Sequence, residues 1–503
     1  MALSSSEYYK AFVGKDARFD GRFVAGVTST GVYCRPSCSA KKPAAENTVF
    51  FETPAQAEEA GFRACRKCRP GALPGTPAWN GTSTTVSRAL RLIEDGLLDH
   101  GNIDALCERL GIGGRQLRRL FKKHLGTTPV HVARIRRAHF ARRLIETTGL
   151  SMPHVAQAAG FGSVRRFNAV MNEVYGCPPT ALRKRPGAVA SGLELQIPVE
   201  GSFPWTRMLQ FLEPWSASGA EQIVDDRYCR TAAYGQAAGE VSVTYEPAQS
   251  ALRVRVSSSL SAHLLDVVSG VRRLFDVDAQ TNIIAAHLGV DPALSACIEA
   301  TPGLRVPGAF DHFETAVMML LNQHMHPDEA SELADRIVEK YGKRIETSQP
   351  SLTHLFPTPY ALSTARLEAV GVPKRRSRSV QTMAKAVHEG ELRLDGTPSL
   401  GTAIERLRSI ADLSGTTAEY IAMRVYREPD AFPSTNPWLR KALSHNRTPV
   451  SIQELEARSE SWRPWRAYAA MYLWDSFVGD DPETRKFWRG SRESAPPSAD
   501  QVA

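Results

Sequence analysis

Four cysteines constrain this chain most tightly: Cys34 and Cys38, with three residues between them, and Cys65 and Cys68, with two. Two such pairs, 27 residues apart, can present four sulfurs tetrahedrally, which is the geometry of a closed zinc site. The alternatives are two disulfides or unrelated thiols. The start, MALSSSEYYKAF, has no basic region followed by an apolar core, so no secretory signal is read. A reduced, cytoplasmic protein is the expectation, and there the zinc reading is favoured over disulfides. The remaining cysteines, Cys107, Cys177, Cys229 and Cys297, are scattered and read as small core or boundary residues. Around the paired cysteines lie Arg35, Lys41, Lys42, Arg63, Arg66, Lys67 and Arg69, so the minimal reading is a zinc module that touches DNA.

Charge separates this region from the rest. The 503 residues net +9, but residues 1–187 carry 29 Lys+Arg against 14 Asp+Glu, a net of +15, and the remainder nets −6. A basic block on a folded region points to a polyanion, most often nucleic acid. With 42% apolar and 23% charged residues the chain is globular, and its length suggests three or four domains. No apolar run approaches the 18 residues of a membrane span; 316-AVMMLL-321 suits a buried helix.

A Gly/Pro/Thr-rich stretch, 71–85, leads into a helical region containing a near-repeat. Copy one is 104-DALCERLGIGGRQLRRLFKKHLGTTP-129 and copy two is 153-PHVAQAAGFGSVRRFNAVMNEVYGCPP-179. Gly111 and Gly160 correspond at an offset of 49, and Leu117 and Phe167, like Gly126 and Gly176, at an offset of 50. Each copy is an apolar helix, a glycine-containing turn and a second helix rich in basic residues, which is helix-turn-helix grammar. Between them, residues 129–146 read as one helix, with Thr128 as N-cap and Pro129 at its first position. The second helices carry Arg115, Arg118 and Arg119, then Arg165, Arg166 and Asn168. These side chains suit base edges or phosphates, and the sequence leaves that choice open. After residues 184–192, the alternation in 193-LELQIPV-199 and 251-ALRVRVS-257 argues for strands, and from about 262 the signals are helical.

The words are more specific than the spacing. Residues 16-DARFDGRFVAGVTSTGVYCRPSC-38 with 62-FRACRKCRP-70 resemble the N-terminal domain of Ada-type DNA-alkylation response proteins. The resemblance implies one zinc ion held by Cys34, Cys38, Cys65 and Cys68, with Cys34 accepting a methyl group from a DNA methyl phosphotriester. The tandem repeat resembles an AraC-type DNA-binding domain, which follows the zinc module in Ada-type proteins. The Pro-Cys-His-Arg site of an O6-methylguanine methyltransferase is absent from the sequence, so that activity is not expected.

Residues 195–490 resemble the AlkA class of 3-methyladenine DNA glycosylases, on segments such as 302-PGLRVPGAFDHFETAV-317, 429-PDAFPS-434 and 463-RPWRAYAAMYLW-474. That class flips an alkylated base into an aromatic cleft and cleaves its glycosidic bond. The chain departs from the pattern at four working positions. Asp412 and Ser414, in 411-ADLS-414, replace the hairpin glycines that let backbone amides approach a phosphate. Thr416 stands where an aromatic or a lysine is usual. Asn436, in 432-FPSTNPWL-439, occupies the position of the catalytic aspartate, and His324 occupies the wedge. Tyr420, Trp438 and Trp474 remain as aromatics able to stack on a base. Asp430 and Asp412 are candidate replacement carboxylates, with Asp430 read as structural.

The expected architecture is multidomain α+β. A zinc-bound α/β module spans 1–75, an all-α tandem helix-turn-helix 82–186, a mixed α/β domain 191–300 and an all-α helix-hairpin-helix domain 301–490, with a disordered tail at 491–503. The leading expectation is a regulator switched on by methylation of Cys34, with an impaired glycosylase domain. The alternatives are an active glycosylase fused to its own regulator, and a zinc-dependent DNA-binding regulator without methyl transfer. Double-stranded DNA is the expected partner, and the resemblance adds RNA polymerase and a monomeric state.

Overall fold

The structure is a computed structural model. It describes residues 8–9, 12–13, 23–36, 38, 40–51, 54–65, 84–183, 193–323, 325, 327–395, 400–409, 413–443 and 449–480. By internal contacts the chain divides into two units. One holds Met1–Leu195 with Ser261–Ser269 and Asp278–Gln280, and the other holds Gln196–Leu260, Gly270–Val277 and Thr281–Ala503.

In the first unit, strands β1 (Val24–Val27), β2 (Val32–Cys34), β3 (Thr48–Phe51) and β4 (Arg63–Ala64) form a sheet in the order β3-β1-β2-β4. The β1–β2 and β1–β3 pairs are antiparallel and β2–β4 is parallel. Phe12, Phe23, Ala25, Cys34 and Cys38 share one buried cluster, against which Tyr8, Phe50 and Cys65 pack.

The helical part of this unit follows the repeat. Helices α1 (Ile103–Leu110) and α2 (Gly114–Leu125) are copy one, α3 (Pro129–Thr147) connects, and α4 (Met152–Ala158) and α5 (Val164–Tyr175) are copy two. The repeat's glycines do one job in both copies. Gly111, Gly126, Gly160 and Gly176 all lie in the left-handed region, at φ 67°, 71°, 73° and 68°. A Cβ is strained there, so a non-glycine residue would oppose the turn that follows each helix. Leu117 and Phe167, the matched apolar positions, are both fully buried. Thr128 caps α3 by accepting from the His131 amide at 3.2 Å, with Pro129 in the first turn.

In the second unit, β5 (Leu193–Pro198, whose first residues belong to the first unit), β6 (Glu221–Val224), β7 (Arg227–Tyr234), β8 (Ala237–Glu246) and β9 (Ala251–Val256) form a sheet in the order β5-β9-β8-β7-β6. The expected strands near 193 and 251 are its β5 and β9. Helices follow, including α6 (His312–Leu321), where Phe313, Glu314 and Ala316 through Leu321 are buried. Glu314 accepts from Arg230 of β7 at 2.6 Å, and the Arg230 guanidinium lies 4.2 Å from the Phe310 ring centroid. The pair ties the sheet to the helices. Burial pushes the Glu314 carboxyl up to about 7, against the pull of Arg230. Three later helices build the site described next: α7 (Gly415–Arg424), α8 (Pro437–Ala442) and α9 (Arg466–Asp480). The observed chain is thus a multidomain α+β protein, and among the described residues no helix is long and apolar enough to cross a membrane.

Candidate functional site

Two constellations of side chains stand out among the described residues. The first is set by strand pairing. Cys34 ends β2, opposite Ala25 of β1. The parallel partner strand β4 runs straight into Cys65, whose amide donates to the Tyr33 carbonyl at 2.9 Å, so Cys34 and Cys65 arrive side by side. A turn closed by the Cys38 amide on the Arg35 carbonyl, at 3.1 Å, brings the third thiol back. The sulfurs of Cys34, Cys38 and Cys65 all lie within 4.8 Å of one another. Among the described residues none of the three forms a disulfide; Cys34 and Cys38 are buried and Cys65 partly so. Three converging thiols in an aromatic pocket fit a zinc ion, which takes tetrahedral thiolate ligands. Thiolates in such surroundings carry a large desolvation cost, which a bound cation would offset. Cys68 lies outside the described residues.

On α2, Arg115, Arg118 and Arg119 are exposed while Leu117 between them is buried; on α5, Arg165, Arg166 and Asn168 are exposed around buried Phe167. Both helices therefore turn their apolar side inward and leave their basic side chains to solvent.

The second constellation is in the second unit. Asn436 is the N-cap of α8 and is 8% exposed. Its Oδ1 accepts from the amides of Trp438, at 2.8 Å, and Leu439, at 3.1 Å. Its Nδ2 donates to the Tyr420 hydroxyl on α7. Tyr420 stacks on Trp474 of α9, with ring centroids 5.5 Å apart and planes 22° apart. Burial raises the Tyr420 pKa, so the hydroxyl stays protonated. Thr416, one turn before Tyr420, shares a hydroxyl hydrogen bond with Thr435, the neighbour of Asn436. Thr416, Tyr420 and Trp438 are each partly exposed, whereas Trp474 is buried. The Lys441 ammonium sits 4.7 Å from the Trp438 ring centroid, an attractive cation–ring contact.

Ser414 is the N-cap of α7, accepting from the Thr417 amide at 3.1 Å. Gln323, which follows α6, accepts from the Thr417 hydroxyl at 2.8 Å and from the Ser414 amide at 3.3 Å. It joins two segments whose sequence separation hides the link. His324 and Asp412 lie outside the described residues. The carboxylates that touch the segment before Asn436 are engaged. Asp430 is held by Arg463 and by Arg466, the latter at 2.8 Å, which matches its structural reading. Glu419 accepts from the Phe432 amide at 3.2 Å, and Glu456 from the Ser434 hydroxyl at 2.8 Å. Gln323, Glu419 and Glu456 were not singled out from sequence; their partners lie 91–94, 13 and 22 residues away.

The metal-binding domain of Ada matches residues 7–71, a helix-turn-helix domain matches residues 106–185, and the AlkA N-terminal domain matches residues 194–311. The chain is 39% identical over 473 residues to the probable bifunctional transcriptional activator/DNA repair enzyme AlkA of Mycobacterium tuberculosis, covering 93% of this chain and 95% of that one. It is 30% identical over 275 residues to DNA-3-methyladenine glycosylase 2 of Escherichia coli K12, covering 54% of this chain and 93% of the relative. The bifunctional transcriptional activator/DNA repair enzyme Ada of the same strain is 31% identical over 176 residues, 35% of this chain and 48% of that one. Among solved structures, 3-methyladenine DNA-glycosylase from Archaeoglobus fulgidus superposes at a TM-score of 0.49 and 18% identity, over 58% of this chain and 98% of that one.

Proposed function

The chain belongs to the family of bifunctional transcriptional activator/DNA repair enzymes AlkA, and from that premise we propose that it is a DNA-alkylation sensor and regulator whose glycosylase-like half binds an extruded base without cleaving it. The observation that carries the sensor reading is the convergence of Cys34, Cys38 and Cys65 within 4.8 Å in the part matched by the Ada metal-binding domain. The segments act as 1–75 sensor, 82–186 DNA-binding module, and 191–300 with 301–490 as the base-binding half. Cys68 supplies the fourth sulfur. When bound, zinc holds the thiols as thiolates at neutral pH.

Cys34 then attacks the methyl carbon of a methyl phosphotriester. The sulfur–carbon bond forms and the methyl carbon–oxygen bond breaks. The phosphate oxygen keeps the electron pair, leaving an ordinary phosphodiester. Four thiolates holding a divalent ion would carry two net negative charges, and methylating Cys34 would leave one. Repulsion from the DNA backbone falls accordingly, and operator binding through α2 and α5 strengthens. Double-stranded DNA and RNA polymerase are the partners, and the regulator acts as a monomer. The test is transfer of labelled methyl from phosphotriester-bearing DNA, which Cys34→Ser abolishes and Cys107→Ser leaves intact. Retained transfer in Cys34→Ser rejects the reading.

The loss of base cleavage rests on Asn436. A carboxylate there would stabilise positive charge developing on the sugar. The amide carries none, and its polar atoms are committed to Trp438, Leu439 and Tyr420. Release of 3-methyladenine or 7-methylguanine from methylated duplex DNA is expected at background rates. Robust release that Asn436→Ala removes favours the alternative, an active glycosylase.

A further inference from the structure

The orientation of the Asn436 amide fixes which way the Tyr420 hydroxyl donates. Backbone N–H groups only donate, so the Asn436 atom facing the Trp438 and Leu439 amides is its oxygen. The Nδ2 group must therefore face Tyr420, and the Tyr420 oxygen must accept. That leaves the Tyr420 hydroxyl proton uncommitted: among the described residues its polar partner is Asn436 alone. With a carboxylate at 436 the polarity would reverse, because the carboxylate only accepts and the Tyr420 hydroxyl would donate to it. The substitution of an amide thus does two things at once. It removes a negative charge from beside Tyr420 and leaves the Tyr420 hydroxyl able to donate to a bound base.

Nearby charge points the same way. Lys441 already places an ammonium 4.7 Å from the Trp438 ring, where a positively charged occupant would be repelled. The carboxylates bonded to the adjoining loop, Glu456, Asp430 and Glu419, are each engaged by a donor. A purine alkylated at N3 or N7 is a cation, and the attraction a carboxylate at position 436 would offer it is missing.

We propose that the cleft selects uncharged bases that present a hydrogen-bond acceptor, over cationic alkylated bases, and that Tyr420 is the specificity-determining donor. This rests on the reading that the C-terminal half accepts an extruded base. The Tyr420–Trp474 stack supplies a platform indifferent to base charge. The hydroxyl supplies the discrimination.

The experiment is fluorescence anisotropy of the full chain with duplexes identical except at one position. That position holds guanine, hypoxanthine (neutral, with a carbonyl acceptor) or 7-methylguanine (cationic), each on a 2′-fluorinated sugar that resists cleavage. The hypoxanthine duplex is expected to bind more tightly than both others: than 7-methylguanine because of that base's charge, and than guanine because guanine's third pairing hydrogen bond keeps it in the stack. Tyr420→Phe, which keeps the ring, is expected to cut that preference about 3- to 10-fold, the value of one neutral hydrogen bond. It should leave the guanine and 7-methylguanine duplexes unchanged. Asn436→Asp, which accepts a hydrogen bond from the Tyr420 hydroxyl and restores the charge, is expected to bring 7-methylguanine above hypoxanthine. Tighter binding of 7-methylguanine than hypoxanthine by the unmodified chain overturns the proposal, as does a Tyr420→Phe variant with unchanged preference. Equal binding of all three duplexes overturns the base-accepting reading beneath it.

Discussion

Asn436→Asp exchanges one atom and tests how much of a glycosylase this site still contains. The Oδ1 contacts to the Trp438 and Leu439 amides, at 2.8 and 3.1 Å, are available to a carboxylate without movement. The helix terminus favours a negative charge by roughly 0.3–1 kcal/mol, so α8 stays capped and the fold is retained. The Tyr420 hydroxyl reverses and donates. Three donors then hold the carboxylate's pKa below its ordinary range, so it is ionised throughout neutral pH. Removing one well-placed electrostatic group from an active site costs roughly 3–4 kcal/mol, a factor of about 10²–10³ in rate. Restoring one is expected to gain the same. The assay is single-turnover release of 7-methylguanine from methylated duplex DNA at pH 7, comparing the unmodified chain, Asn436→Asp and Asn436→Ala. Asn436→Asp should exceed both others by about 10²–10³-fold, with Asn436→Ala no slower than the unmodified chain. A folded Asn436→Asp variant with no gain, or an unmodified chain that already releases base at the variant's rate, refutes the reasoning.

Other outcomes follow from the same contacts. Asn436→Ala leaves two amides of α8 uncapped and should lower stability by about 1–2 kcal/mol, read as a shift in the denaturation midpoint of the full chain. Asp291 accepts from Arg458 at 2.6 and 3.0 Å and from the Trp462 indole at 2.9 Å, and the Arg458 bonds lead in depressing its pKa to about 2. Its folded pKa lies below the unfolded value of 3.8, so its contribution is full above pH 4 and fades as pH falls toward 2. Asp291→Asn should therefore cost about 1–2 kcal/mol at pH 7 and much less near pH 2, by denaturant titration at both. Gly176→Ala places a side chain at φ 68° and should cost about 1 kcal/mol, measured by thermal denaturation. Prolonged treatment with a strong chelator should abolish methyl uptake and loosen the region around β1–β4, seen as faster amide exchange there.

Much of this arrangement was legible along the chain because its causes are local. A left-handed glycine after a helix is a property of one residue, so the offsets of 49 and 50 in the repeat predicted matching turns in space. The cap on α3 was equally readable, since Thr128 and Pro129 act within one turn. The thiol cluster was legible in its members but not in its cause, the parallel β2–β4 pairing that seats Cys65 beside Cys34. Asn436 was identified by its surroundings in sequence, yet its hydrogen bonds depend on Tyr420, sixteen residues earlier, and on where α8 begins. Gln323 and the Asp291–Arg458 pair were hidden for the same reason: partners 94 and 167 residues apart meet only through packing of helices. No local pattern encodes that meeting.

The claim on which the rest depends is that Cys34 senses alkylated DNA by becoming methylated. Peptide mapping by mass spectrometry, after incubating the full zinc-loaded chain with methylated duplex DNA, tests it directly. One added methyl group is expected, on the peptide containing Cys34, with the peptides of Cys38 and Cys65 unmodified. An unmodified Cys34 peptide in a zinc-loaded, DNA-bound sample, or methyl groups spread over the other cysteines, would contradict it.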